Sequence, residues 1–231
     1  MKRAELTNLE RFNITDSKKA LVYKGFDQEW YGFWWRRLAG CGPTTVSNML
    51  LYEFGRGGGV DEIAAPPRSA PIAALERSEV LAFMNRTWKH VTPGKGGINT
   101  TQKLVNGIES YAYAAGFKPC TESLDVPEGM TLRPRLEAAA EFIEESVKRD
   151  RPVAFLNLDN GSEKQLDKWH WVTIIAIEYI EYEESSLGKR TEIILDVLDN
   201  CNIISVNLGS WLKTSVKGGG FVKFEFILNG R

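Results

Sequence analysis

The most apolar strand pattern in this chain lies between residues 169 and 182, and it commits the chain to a sheet. Its centre, Trp171-Val172-Thr173-Ile174-Ile175-Ala176-Ile177, is rich in β-branched and aromatic residues. A polar turn at 183–189 leads to a second strand pattern at 192–198. Shorter ones follow the same logic at 152–158, 203–207 and 220–228. Short links between consecutive strands favour antiparallel pairing, because a parallel pair needs a long crossover.

Before residue 150 the apolar periodicity is helical. Val46, Met49, Leu50 and Phe54 recur at helical spacing behind Pro43, which a first helical turn tolerates. Gly55 is placed as a C-cap, and Gly57-Gly58-Gly59 with Pro66-Pro67 marks a loop. Helical patterns return at 71–89, 99–116 and 131–149. In the last, Lys148-Arg149 suits the negative end of a helix dipole. Residues 1–30 read as an irregular lead-in with a short strand at Ala20-Leu21-Val22-Tyr23. Helices first and strands later give an α+β class. The expected organisation is one domain over 31–231, with a helical half to about 150 and a sheet half from 151.

Composition excludes several function classes. The 231 residues carry 29 basic and 30 acidic side chains, a net charge of -1. That balance lacks the basic excess expected for a nucleic-acid or anionic-membrane partner. No apolar run suits a bilayer span, and none follows the charged N-terminal residues, so no membrane insertion and a cytoplasmic location are expected. Three widely spaced cysteines, Cys41, Cys120 and Cys201, form neither a disulfide framework nor a zinc pattern. No metal or organic cofactor is implied, and no feature fixes an oligomeric state.

Cys41 stands out among the thiols. It lies in Gly40-Cys41-Gly42-Pro43-Thr44, just ahead of a predicted helix. The positive end of a helix dipole and its free N–H groups favour thiolate. Flanking glycines are expected to keep the sulfur accessible, and the Cys41 N–H can serve an oxyanion. Only two histidines can partner it. His170 opens the apolar strand, where His170, Val172, Ile174 and Ala176 are expected to share a face. His90 ends a helix beside Lys89 and reads as a surface or capping residue. If strands 170–180 and 191–199 form a hairpin, Asp199 or Asn200 falls next to His170, while Asp196 lies deeper. Asp199 is the first candidate to orient the imidazole and Asn200 the second. The aromatic and basic cluster at 28–37 fits both a buried corner and one wall of a cleft.

The pattern Gly-Cys-Gly-Pro-Thr at a helix start, His-Trp-Val-x-Ile-Ile opening a strand, and a following strand ending in Asp resembles papain-like cysteine peptidases. Within them it resembles the branch of the double-glycine-leader, bacteriocin-processing peptidases and their stand-alone bacterial relatives. The resemblance covers roughly residues 35–230. It implies a papain-like fold, a thiol-dependent hydrolase of peptide or other amide bonds, a peptide or protein substrate, and the triad Cys41, His170 and Asp199. One position departs from the pattern. The family's oxyanion glutamine, about six residues before the cysteine, corresponds to Trp35, followed by Arg36 and Arg37. Gln28 is the nearby glutamine and the candidate to fold back. Otherwise an Arg or Trp N–H substitutes, or the site is impaired. Losing one such donor costs about 10²–10³ in rate. Acyl transfer on the same triad and an idle peptide-binding module are the alternatives. The Gly-rich segments at 55–59 and 94–97 match no phosphate-binding spacing.

Overall fold

The computed structural model describes residues 2–54, 75–184 and 188–228. In chain order the elements begin with strands β1 (Lys2–Glu5), β2 (Asn13–Asp16) and β3 (Leu21–Lys24). Helices α1 (Trp34–Ala39) and α2 (Cys41–Phe54) follow, then β4 (Leu75–Glu76), α3 (Arg77–Trp88) and α4 (Thr101–Ala114). The remainder is β5 (Phe117–Val126), α5 (Leu136–Lys148), β6 (Val153–Asn157), β7 (His170–Glu184), β8 (Gly188–Asp199), β9 (Asn202–Asn207), α6 (Leu208–Thr214) and β10 (Gly219–Leu228).

The main sheet has seven strands in the order β5-β10-β6-β7-β8-β9, with β1 beside the outer part of β7. Every pairing in it is antiparallel. A small sheet, β3-β2-β4, contains one parallel pair. The class is therefore mixed helix and antiparallel sheet. The two halves are not segregated as expected, however: β1 and β5 come from the first half of the chain and pair with β7 and β10 of the second. The lead-in holds three strands rather than irregular chain.

Alternation along the central strands sends side chains to two separate cores. Ala154, Leu156, Trp171 and Val222 pack with Val46, Met49, Phe83 and Leu104 of α2, α3 and α4. Val153, Phe155, Val172 and Phe221 pack with Ala139, Ile143 and Val147 of α5 and Trp211 of α6. Helices thus cover both faces, which is why all of β6 is buried. A bulge in the β7–β8 register between Ile174 and Ala176 breaks the alternation. Ile174, Ile175 and Ile177 all enter the α5 side core, so the expected common face of His170, Val172, Ile174 and Ala176 ends at Ile174.

Several boundaries move for local reasons. α2 starts at Cys41 rather than Pro43. α5 starts at Leu136, after a single 3-10 turn at Met130–Leu132, because Pro134 disfavours helix at the residue before it. α3 starts at Arg77. Gly55, the glycine and proline loop, residues 71–74 and the tip of the 183–189 turn lie outside the described residues. Beyond the lead-in, β4, β5 and α6 were not expected. β5 is a polar edge strand with Pro119 in it, a residue edges accept. α6 is capped by Asn207, whose side chain accepts from the Ser210 N–H, and it buries Leu208, Trp211 and Leu212.

Candidate active site

Two helices meet end to end at Gly40, and the break between them presents Cys41. α1 closes at Ala39, and α2 opens at Cys41 with the Thr44 N–H bonded to the Gly40 carbonyl at 2.9 Å. The N–H groups ahead of Thr44 have no helical acceptor, and Pro43 brings none. The flanking glycines serve packing more than access. A Cβ on Gly40 would stand 2.3 Å from the Arg36 carbonyl oxygen and 2.9 Å from the Tyr31 ring. One on Gly42 would meet Ile98 at 2.9 Å. Both glycines let α1, α2 and the segment around Ile98 close together. Cys41 itself is half-buried.

His170 is the first residue of β7, and Asp199 is the last of the adjacent strand β8. Thr173 pairs with Leu198, so both residues fall at one end of the hairpin. The His170 Nε2 lies 2.7 Å from Asp199 Oδ1, and both side chains are nearly buried. Burial, the largest influence on His170, opposes a charged ring. The hydrogen bond to Asp199 and the neighbouring Cys41 and Asp199 charges outweigh it and raise the pKa to about 10. With Nε2 engaged, Nδ1 is the ring nitrogen free to face Cys41. The Cys41 thiol points to the carbonyl of Trp169, the residue before the histidine, at 4.0 Å. The structure thus brings Cys41, His170 and Asp199 together.

The other sequence candidates lie elsewhere. Asn200 and Cys201 are the two central residues of the β8–β9 turn, with φ of 42° and 65° as a type I′ hairpin requires. The Asn200 carbonyl accepts from Asn202 Nδ2, and its role is the turn rather than the imidazole. Cys201 donates to the Gly25 carbonyl, and burial pushes its thiol up to about 12. Gln28 sits in a short 3-10 helix, its Oε1 buried and without a hydrogen-bond partner, and it does not line the cleft that holds Cys41. Arg36 donates to Asn85 and stacks over Trp88, while Arg37 donates to the Tyr31 carbonyl. None of the three is among the residues lining the cleft. His90 contacts Ser110 and the edge of Tyr111, and burial lowers its pKa. The aromatic cluster divides: Trp30 and Tyr31 are buried, Phe33 and Trp34 are exposed, and Trp35 lines the cleft.

The cleft around Cys41 has a volume of about 280 Å³. α1 contributes Trp35 and Leu38, and the segment 95–99 contributes the opposite wall. That segment is tied to the histidine strand, because Trp171 Nε1 donates to the Ile98 carbonyl at 2.5 Å. Trp169 completes the rim. Its φ of 57° is left-handed, a strained conformation for a bulky residue that costs about 1–3 kcal/mol. Surrounding bonds impose it. Asn157 Nδ2 donates to the Asp167 carbonyl, Asn160 Nδ2 to the Leu166 carbonyl, and Lys168 pairs with Asp159. Sequence reading placed Trp169 inside the strand; a hydrophobic pattern carries no information on the sign of φ. Among the described residues no group of three His, Cys, Asp or Glu side chains converges to hold a metal ion. No protein-family model matches the chain, and no curated protein matches it.

Proposed function

We propose that this protein is a thiol-dependent hydrolase of peptide or other amide bonds, built on a papain-like arrangement. The observation that carries the reading is the 2.7 Å contact between His170 and Asp199 beside Cys41 at a helix start. In this reading Cys41 and His170 form a thiolate–imidazolium pair. The sulfur attacks the carbonyl carbon, and the carbonyl electrons move to oxygen, where the Cys41 N–H stabilises the oxyanion. The imidazolium proton passes to the leaving amine as the C–N bond breaks. Water then attacks the thioester, giving its proton back to His170, and the acid leaves as the thiolate reforms. Asp199 holds the ring so that Nδ1 faces the sulfur. The same chemistry serves acyl transfer when an amine replaces water.

One observation favours a second reading, an idle fold that binds peptides. Gln28 does not line the cleft, and Arg36 and Arg37 are engaged elsewhere, which leaves the Cys41 N–H without the side-chain amide the pattern supplies. Incubation with a diverse peptide pool in ¹⁸O water, read by mass spectrometry, separates the readings. Hydrolysis predicts new C-termini carrying ¹⁸O with wild-type protein and none with Cys41→Ala or His170→Ala. A pool unchanged by wild-type protein contradicts hydrolysis and favours the binding module.

A further inference from the structure

The geometry points to Trp169 as the specificity-determining residue of the cleft, selecting an apolar side chain next to the scissile bond and rejecting a basic one. This rests on Cys41 being the nucleophile. Three observations converge. First, the walls are apolar: Trp35, Leu38, Ile98, Leu156, Leu158 and Trp169 line the cleft with Cys41. Second, Trp169 remains 51% exposed although it adjoins the general base, and the surrounding bonds hold it in a left-handed conformation. A glycine there would meet the backbone demand without strain, so the indole needs another reason to be present. Large apolar surface at a concave site is what an apolar ligand group covers.

Third, cations border the indole and the cleft. Lys217 Nζ lies over the Trp169 ring at 4.7 Å, and Lys95 is part of the cleft lining. Among the described residues lining the cleft there is no carboxylate. Asp159, in a supporting loop, is bound by Lys168 and by the Val216 N–H. A substrate lysine or arginine would enter a cleft whose described lining holds Lys95 and no carboxylate. An aromatic or branched aliphatic side chain would cover the indole face left free by Lys217.

Peptidyl chloromethyl ketones test this without a known substrate. The Cys41 sulfur displaces chloride from the methylene carbon, forming the C–S bond as C–Cl breaks, and intact-mass spectrometry gives the rate. A series identical except for phenylalanine, leucine, glycine, aspartate or lysine at the two residues nearest the ketone is compared. Wild-type protein is expected to react with the phenylalanine and leucine members at least about tenfold faster than with the lysine member, the scale of side-chain discrimination in an apolar pocket. Trp169→Gly should bring the phenylalanine-to-glycine ratio close to one. A wild-type series without preference, or a preference that survives in Trp169→Gly, overturns the assignment. Iodoacetamide, too small to need the cleft, separates this failure from failure of the catalytic reading. Selective alkylation of Cys41 by iodoacetamide with a flat ketone series rejects only the pocket. Absence of selective alkylation rejects the nucleophile itself.

Discussion

His170 keeps its proton because its environment is divided against itself. Burial works against the charge, and Asp199 and Cys41 together overcome it, lifting the pKa from 6.5 to about 10. A folded-state pKa above the unfolded one adds stability below the unfolded value and loses it as pH rises through the folded value. This histidine therefore stabilises the fold fully below about pH 6.5, and its contribution declines from there to about pH 10. Urea midpoints measured across that range should fall with pH, and Asp199→Asn should flatten the slope. A slope unchanged by Asp199→Asn would place its origin elsewhere. Cys41, His170 and Asp199 were legible in the sequence because two histidines leave little choice and strand order places the acid. The left-handed conformation of Trp169 was not, since a hydrophobic pattern carries no information on the sign of φ.

Among elements, the junction of α1 and α2 decides the placement of Cys41. Gly40→Ala would push a methyl group into the Arg36 carbonyl and the Tyr31 ring. Overpacking of this kind costs about 1–3 kcal/mol. The expected outcome is a lower urea midpoint with slower Cys41 alkylation, since the clash displaces the first turn of α2. Gly116→Ala is a useful contrast, because a Cβ there meets nothing within 4 Å and only its φ of 79° is strained. It should lower stability without altering Cys41 reactivity, and a matching loss of reactivity would show that the effect is global. Periodicity made α2, α4, β6 and β7 legible. It could not reveal β5, whose residues are mostly exposed at an edge, or β1, whose Lys2–Glu5 sequence is polar. β1 is fastened instead by pairing with β7 and by Arg3, which bridges Glu178 and Asp196.

For the molecule as a whole, the sheet is a partition with a core on each side. The α2 side carries Cys41, and the α5 side supports the strand bearing His170. Phe155 anchors the latter, stacked on Phe221 at 5.0 Å and edge-on to Trp211 at 4.7 Å. Phe155→Ala should cost about 3–5 kcal/mol in equilibrium unfolding. A loss below about 1 kcal/mol would mean that the α5 side core closes over the cavity. The sequence pattern of helices then strands suggested a two-part molecule; burial on both sheet faces, legible only weakly in the unbroken Val153–Leu156 run, shows an interleaved one. No described helix is long and apolar enough to cross a membrane.

Site-resolved alkylation tests most directly the proposed pairing of Cys41 with His170. Iodoacetamide rates for Cys41, Cys120 and Cys201 are measured by peptide mass spectrometry between pH 5 and pH 9 (roughly the span over which an ordinary thiol becomes ionised). Cys41 is expected to react near pH 6 much faster than exposed Cys120 and half-buried Cys201. His170→Ala should abolish that difference. Equal rates for Cys41 and Cys120 at pH 6 in the wild-type protein, or a Cys41 rate unaffected by His170→Ala, would contradict the pairing.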